Sequence, residues 1–130
     1  IMSAPTTSQY AALEAMQNGD GDIEMMREEY DGRRKYIVEG FNRIGLPCRE
    51  PKGAFYAFPD IRPTGLDSDT FCERLLREEK VAVIPGNAFG ECGEGFVRCS
   101  YASSMHDLEE ALIRMERFLN KLRDEGTMKG

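Results

Sequence analysis

The chain has 130 residues, 41% hydrophobic and 31% charged, with a net charge of −6 at neutral pH. That length suits one domain of ordinary size, with no apolar run approaching the ~20 residues of a membrane-spanning helix and no expected signal peptide. An acidic balance without a concentrated basic face argues against nucleic acid as a partner.

Pro5 suits the start of a helix carrying Tyr10, Leu13 and Met16, and Asn18-Gly19-Asp20-Gly21 is expected to break it. This acidic break does not follow a calcium loop. Ile23 stands where glycine should follow the third ligand. Asp22 is expected instead to cap a long helix over residues 23–44. Its apolar face would carry Met26, Tyr30, Ile37, Phe41 and Ile44, with Glu28, Arg33, Lys35 and Asn42 facing water. The consecutive cations Arg33-Arg34-Lys35 point in different directions on a helix, so they read as a solvated face rather than a phosphate patch. Gly45 and Pro47 end the helix.

Residues 54–58 alternate as a strand, with Ala54, Tyr56 and Phe58 on one side and Phe55 and Ala57 on the other, after a tight turn at Gly53. Residues 59–68 form a loop, and Ser68 or Asp69 caps a helix that turns Phe71, Cys72, Leu75 and Leu76 inward. Residues 81–84 and 96–102 supply two more strands, joined by a loop with glycines at 86, 90, 93 and 95. That loop lacks dinucleotide or Walker spacing, so its glycines are read as letting the backbone approach a ligand or neighbour closely. Asn87, Phe89 and Glu91 receive no role. A final helix starts at Ser103 or Ser104 with an apolar stripe of Leu108, Ala111, Leu112, Met115, Leu119 and Leu122. Asp107, Glu109 and Glu110 at its start and Lys121 and Arg123 near its end complement its dipole.

These elements predict an α+β fold, a small mixed or antiparallel sheet covered by helices on one side, the other side free to close over a neighbouring domain. The domain is expected over residues 1–123, with 1–20 as a lead-in helix and 124–130 as a disordered tail. Cys48, Cys72, Cys92 and Cys99 show no CxxC pair, and the equal spacing of Cys92, Cys99 and His106 does not amount to a zinc signature, so no metal is expected. Free thiols suit a cytoplasmic setting. His106 is expected on the surface, without the partner a general base needs.

Arg98 stands out because it lies inside the apolar run 96–102. A permanent charge there needs an anionic partner, and a planar guanidinium with paired donors suits a carboxylate or phosphate gripped at two points. The competing reading is a side chain that snorkels to the sheet edge or pairs with a local Asp or Glu.

The segment Gly93-Glu94-Gly95-Phe96-Val97-Arg98-Cys99-Ser100-Tyr101-Ala102 resembles the C-terminal signature of the class I/II, aspartate-aminotransferase-like enzymes of pyridoxal-phosphate fold type I. Lys52-Gly53-Ala54-Phe55-Tyr56-Ala57-Phe58-Pro59 and Ser3-Ala4-Pro5-Thr6-Thr7-Ser8-Gln9-Tyr10-Ala11-Ala12 resemble two further family segments, in order. The resemblance implies the small C-terminal domain of an enzyme about three times this long. It implies that Arg98 binds the substrate α-carboxylate and that Phe55 lies near the substrate, although Phe55 reads equally well as core. The Schiff-base lysine, the partner of the pyridine nitrogen and the phosphate cradle would lie upstream. No catalytic or cofactor-binding residue is therefore expected among these 130, and the isolated chain is expected to be inactive. The implied activity is amino transfer between an α-amino acid and a 2-oxo acid by a homodimer, the small domain closing on the large one. A lyase or decarboxylase of the same fold, and a stand-alone module that senses a small carboxylate, are the alternatives.

Overall fold

The computed structural model describes residues 2–128. Two compact units divide the chain, Ile1–Gly32 and Arg33–Gly130. The first is helical and longer than the expected lead-in. Helix α1 (Thr6–Asn18) is followed by α2 (Asp20–Ile44), so the expected four-residue break shrinks to Gly19. Gly19 keeps right-handed helical geometry, donates to the Ala15 carbonyl at 2.9 Å and accepts from the Ile23 amide at 3.0 Å. Gly19 thus ends α1 through its amide and opens α2 through its carbonyl. Asp22 is not a cap but lies with Asp20 in the first turn of α2, where the helix dipole favours carboxylates. Helix α1 buries no side chain, and Tyr10, Leu13, Met16, Ile23, Met25 and Met26 are all exposed. Met26 therefore does not join the core face expected of it; burial on α2 is confined to Ile37, Gly40, Phe41 and Ile44.

The second unit carries a three-stranded antiparallel sheet of β1 (Tyr56–Ala57), β2 (Ile84–Pro85) and β3 (Val97–Ser100), in the order β1-β3-β2. Tyr56 faces Ser100, Ala57 faces Cys99, and Ile84 faces Arg98. The strands are shorter than the alternation predicted. Ala54 and Phe55 form a turn instead of entering the sheet, because Ala54 takes a left-handed φ of 59° that no strand accommodates. The turn was expected at Gly53, yet the strained residue bears a Cβ, which costs roughly 1 kcal/mol. Buried Tyr101 holds it in place: its hydroxyl donates to the Ala54 carbonyl at 2.8 Å and its amide to the Phe55 carbonyl at 2.9 Å.

Period-two alternation then sorts the sheet's faces. Ala57, Val97 and Cys99 are buried, while Arg98 is half-buried and Ser100 exposed on the opposite face. The core combines those three with Ile37, Phe41 and Ile44 of α2, Phe71 and Leu75 of α3 (Ser68–Glu79), and Leu112, Met115, Phe118 and Leu119 of α4 (Met105–Asp124). Phe71 and Phe118 meet edge-on at 5.4 Å.

The cap of α3 is Asp67 rather than Ser68 or Asp69. Its carboxylate accepts from the Thr70 amide at 2.8 Å and the Thr70 hydroxyl at 2.7 Å. Ser104 caps α4, accepting from the Asp107 amide at 3.1 Å. Disorder was expected after Asp124, but the Thr127 and Met128 amides donate to the Leu122 carbonyl, Met128 is buried and Glu125 pairs with Arg74 at 3.1 Å. Residues 129 and 130 of that expected tail lie outside the described residues. Among the described residues no helix is long and apolar enough to cross a membrane.

Helices α3 and α4 are also joined through charge. Buried Glu79 accepts from Arg117 Nε and from Lys121 Nζ, each at 2.7 Å. Those hydrogen bonds, Arg117's first, hold its carboxyl at a pKa of about 2, against an ordinary 4.5. A depressed carboxyl stabilises the fold fully above its unfolded pKa, and the contribution fades as pH falls toward the folded value. Arg117 is 58% exposed, so screening reduces the gain to roughly 1–2 kcal/mol. Urea midpoints should therefore drop between about pH 4.5 and pH 2 by more in the native protein than in Glu79→Gln. Parallel pH curves would show that the cluster contributes nothing.

Candidate active site

The open face of the sheet is organised around Arg98 on the central strand. Three devices fix the approach to that strand. Buried Ser68, at the start of α3, donates through its hydroxyl to the Phe96 carbonyl at 3.0 Å and accepts from the Gly95 amide at 2.9 Å. Its own amide donates to the Glu94 carboxylate at 2.9 Å, so the Glu94 side chain satisfies a free N–H at a helix start. The third device is a crossing of the loop with itself. The Gly86 amide bonds the Phe96 carbonyl at 2.8 Å, and a Cβ on Gly86 would stand 2.1 Å from the Gly93 carbonyl oxygen. The close approach that the glycines were expected to allow is thus made to the loop's own backbone.

Between Gly86 and Gly93 the chain winds into two short 3₁₀ turns, Gly86–Phe89 and Glu91–Gly93. The first is tethered to α3 by a 2.8 Å hydrogen bond from the Asn87 side-chain Nδ2 to the Asp69 carboxylate. It ends on Phe89, whose ring lies 4.3 Å from the guanidinium carbon of Arg98. The Tyr56 ring lies 4.3 Å from the same carbon. Arg98 is not paired with any carboxylate among the described residues. Phe58, exposed, extends the aromatic group by an edge contact to Phe89 at 6.0 Å.

Phe55, singled out beside Arg98, is 39% exposed in the turn before β1, with its ring 4.4 Å from that of Tyr56. The residue of this segment that meets Arg98 is its neighbour Tyr56. Tyr56 was legible as sharing a face with Phe58, but its pairing with Ser100, which carries it alongside Arg98, depends on strand register. Nothing in the sequence singled out Phe89, since its position depends on how the glycine loop folds.

Beside the aromatic group runs a cleft of about 540 Å³ walled by Pro47, Pro51, Tyr56, Phe58 and Phe96, with Cys48 and the Asp60–Arg62 pair. The Asp60 carboxylate accepts from Arg62 Nε at 2.9 Å, which holds the Asp60 carboxyl below its ordinary pKa. Arg62 also lies over the Phe96 ring at 5.1 Å. This cation is therefore already neutralised, unlike Arg98.

The remaining titratable candidates lie elsewhere. Cys99 is buried on the helix-covered face, and burial pushes its thiol well above the ordinary range; Cys92 is exposed, and His106 is exposed in the first turn of α4. Among the described residues no three His, Cys, Asp or Glu side chains come together as metal ligands. Lys80 Nζ is bonded to the Arg77 carbonyl at 2.8 Å, and Lys121 to Glu79. Neither lysine contributes to the Arg98 group.

The family model Aminotransferase class I and II matches residues 1–115. YugH of Bacillus subtilis, named as an aminotransferase, is 54% identical over 93% of this chain and 31% of its own length. An aspartate aminotransferase of Pyrococcus abyssi is 52% identical over 89% of this chain and 30% of its own length. Among solved structures, the aromatic aminotransferase from Pyrococcus horikoshii superposes with a TM-score of 0.85 at 52% identity, over 88% of this chain and 31% of its own. The aspartate aminotransferase from Thermus thermophilus with maleate superposes at 0.81 and 42% identity, over 88% of this chain and 30% of its own. The chain thus spans about 30% of the length of the curated relatives it matches. With sequence and fold both matching over most of its length, the chain belongs to the class I and II aminotransferases.

Proposed function

We propose that this chain is the substrate-carboxylate domain of a pyridoxal-phosphate-dependent enzyme that moves an amino group between an α-amino acid and a 2-oxo acid. The observation that carries the proposal is the Arg98 guanidinium: half-buried, flanked by two rings, and without a carboxylate partner among the described residues. Partial desolvation makes such a cation costly until an anion arrives, so the missing partner is one the substrate brings. A neighbour of this fold crystallised with maleate, a dicarboxylate, supports that chemistry.

The family's cofactor supplies an electron sink that makes the substrate's α-carbon hydrogen acidic. This chain's residues bind and orient. Arg98 grips the carboxylate, and the open sheet face closes over the substrate and excludes water. The lysine that carries the cofactor, the partner of its pyridine nitrogen and its phosphate cradle are proposed to lie outside these 130 residues, so that the domain alone would be inactive. The exposed apolar side chains of α1 and the start of α2 support association with further polypeptide, here proposed as the large domain and a second subunit of a homodimer. Four free cysteines support a cytoplasmic setting.

The test compares an α-amino acid with its α-carboxamide as amino donor for the complete enzyme. Removing the anion should lower kcat/KM by roughly 100-fold or more, as expected when a charge-assisted two-point contact is lost. Equal rates on both donors would overturn the proposal.

A further inference from the structure

We propose that Phe89 and Tyr56 are positioning residues which hold the Arg98 guanidinium between their rings, so that its donor-bearing edge is what the incoming carboxylate meets. The proposal rests on the carboxylate reading of Arg98 given above and adds what orients the group.

The topology carries the argument. Arg98 lies on the middle strand, with β1 bearing Tyr56 on one side and β2 leading into the Phe89 turn on the other. The two rings approach from opposite neighbours, each 4.3 Å from the same carbon, and make no ring contact with each other. A planar cation held by rings on both sides has its faces occupied and its N–H groups directed outward in its own plane, which is the geometry a two-point carboxylate contact requires. An arginine on the open face of a sheet would otherwise sample many rotamers, and stacking removes that freedom before substrate arrives.

Each ring is itself restrained. Tyr56 is fixed by its pairing with Ser100 and packs on Phe55. Phe89 is fixed by the Asn87–Asp69 tether, by the Gly90 amide bonded to the Asn87 carbonyl at 3.1 Å, and by the edge contact with Phe58. Yet Phe89 is 49% exposed. Core burial does not account for an aromatic residue there, whereas its contact with the cation does.

The experiment uses the complete enzyme and measures kcat/KM for an α-amino acid and for its carboxamide in Phe89→Ala, Phe89→Leu, Phe89→Tyr and Tyr56→Leu. Phe89→Ala and Tyr56→Leu should each lower the acid-to-amide preference about tenfold, the scale of one cation–π contact at a partly desolvated site. The loss should appear mainly in the acid's KM. Phe89→Tyr should restore the preference because it restores the π face, and Phe89→Leu should not. A general packing defect would slow both donors alike and leave their ratio intact. An unchanged ratio in Phe89→Ala, or full recovery in Phe89→Leu, would overturn the proposal. Arg98→Lys separates the two readings: if it leaves the ratio unchanged the carboxylate reading fails, and if it abolishes the ratio while Phe89→Ala does not, the positioning role alone fails.

Discussion

Arg98→Lys in the complete enzyme should lower kcat/KM for the amino-acid substrate by ~2 to 5 kcal/mol, roughly 30- to 5,000-fold. Charge is conserved in this exchange, so the loss measures geometry. An ammonium presents its donors from one point, cannot match both carboxylate oxygens in a plane, and holds its hydration more tightly. It also gives up the stacking that Tyr56 and Phe89 offer at 4.3 Å, which leaves both rings facing a thinner, mobile stem. Both KM and kcat should suffer, because a carboxylate held at one point lets the α-carbon wander from the reacting group. The fold itself should tolerate the change, since the side chain is only half-buried and forms no ion pair with the described residues. Kinetics equal to the native enzyme, with unfolding unchanged, would remove Arg98 from the site.

Local chemistry in the sequence anticipated the features that depend on local chemistry. The stripe on α4 was legible because Leu108, Ala111, Leu112, Met115, Leu119 and Leu122 recur at helical spacing; all are buried except Ala111, which is half-buried. Arg98 was legible because a charge in an apolar strand is conspicuous. The features that were missed depend on contacts distant in sequence. The left-handed turn residue falls on Ala54 rather than Gly53, because Tyr101, distant in sequence, fixes the carbonyls of both Ala54 and Phe55. Phe89 reaches Arg98 through a folded loop whose shape no periodicity encodes. The aromatic group around Arg98 was therefore hidden because three segments must be correctly assembled before it exists.

Assembly of that loop turns on its backbone crossing, and this yields the largest expected effect on stability. Gly86→Ala would place a methyl group 2.1 Å from the Gly93 carbonyl oxygen and 2.7 Å from that of Phe96. Gly93→Ala would place one 2.1 Å from the Gly86 oxygen and 2.5 Å from the Gly86 carbonyl carbon. The obstacles are backbone atoms, so no rotamer change relieves them; the crossing must open, and the 2.8 Å bond from the Gly86 amide to the Phe96 carbonyl must be lost with it. Each variant should lose about 3 kcal/mol or more, at the upper end of overpacking effects. The pair should be less than additive, because once one methyl has parted the strands the second meets open space. Gly21→Ala supplies the contrast: a Cβ there meets nothing within 4 Å, and alanine on a helix should stabilise by up to about 1 kcal/mol. Urea midpoints of the native protein, the three single variants and the double variant, measured with the acid-to-amide preference, decide the matter. If the crossing is what aims Phe89 at Arg98, whatever fraction of Gly86→Ala remains folded should also have lost much of that preference. A Gly86→Ala protein as stable and as selective as the native one would mean that the loop reaches the guanidinium by another path.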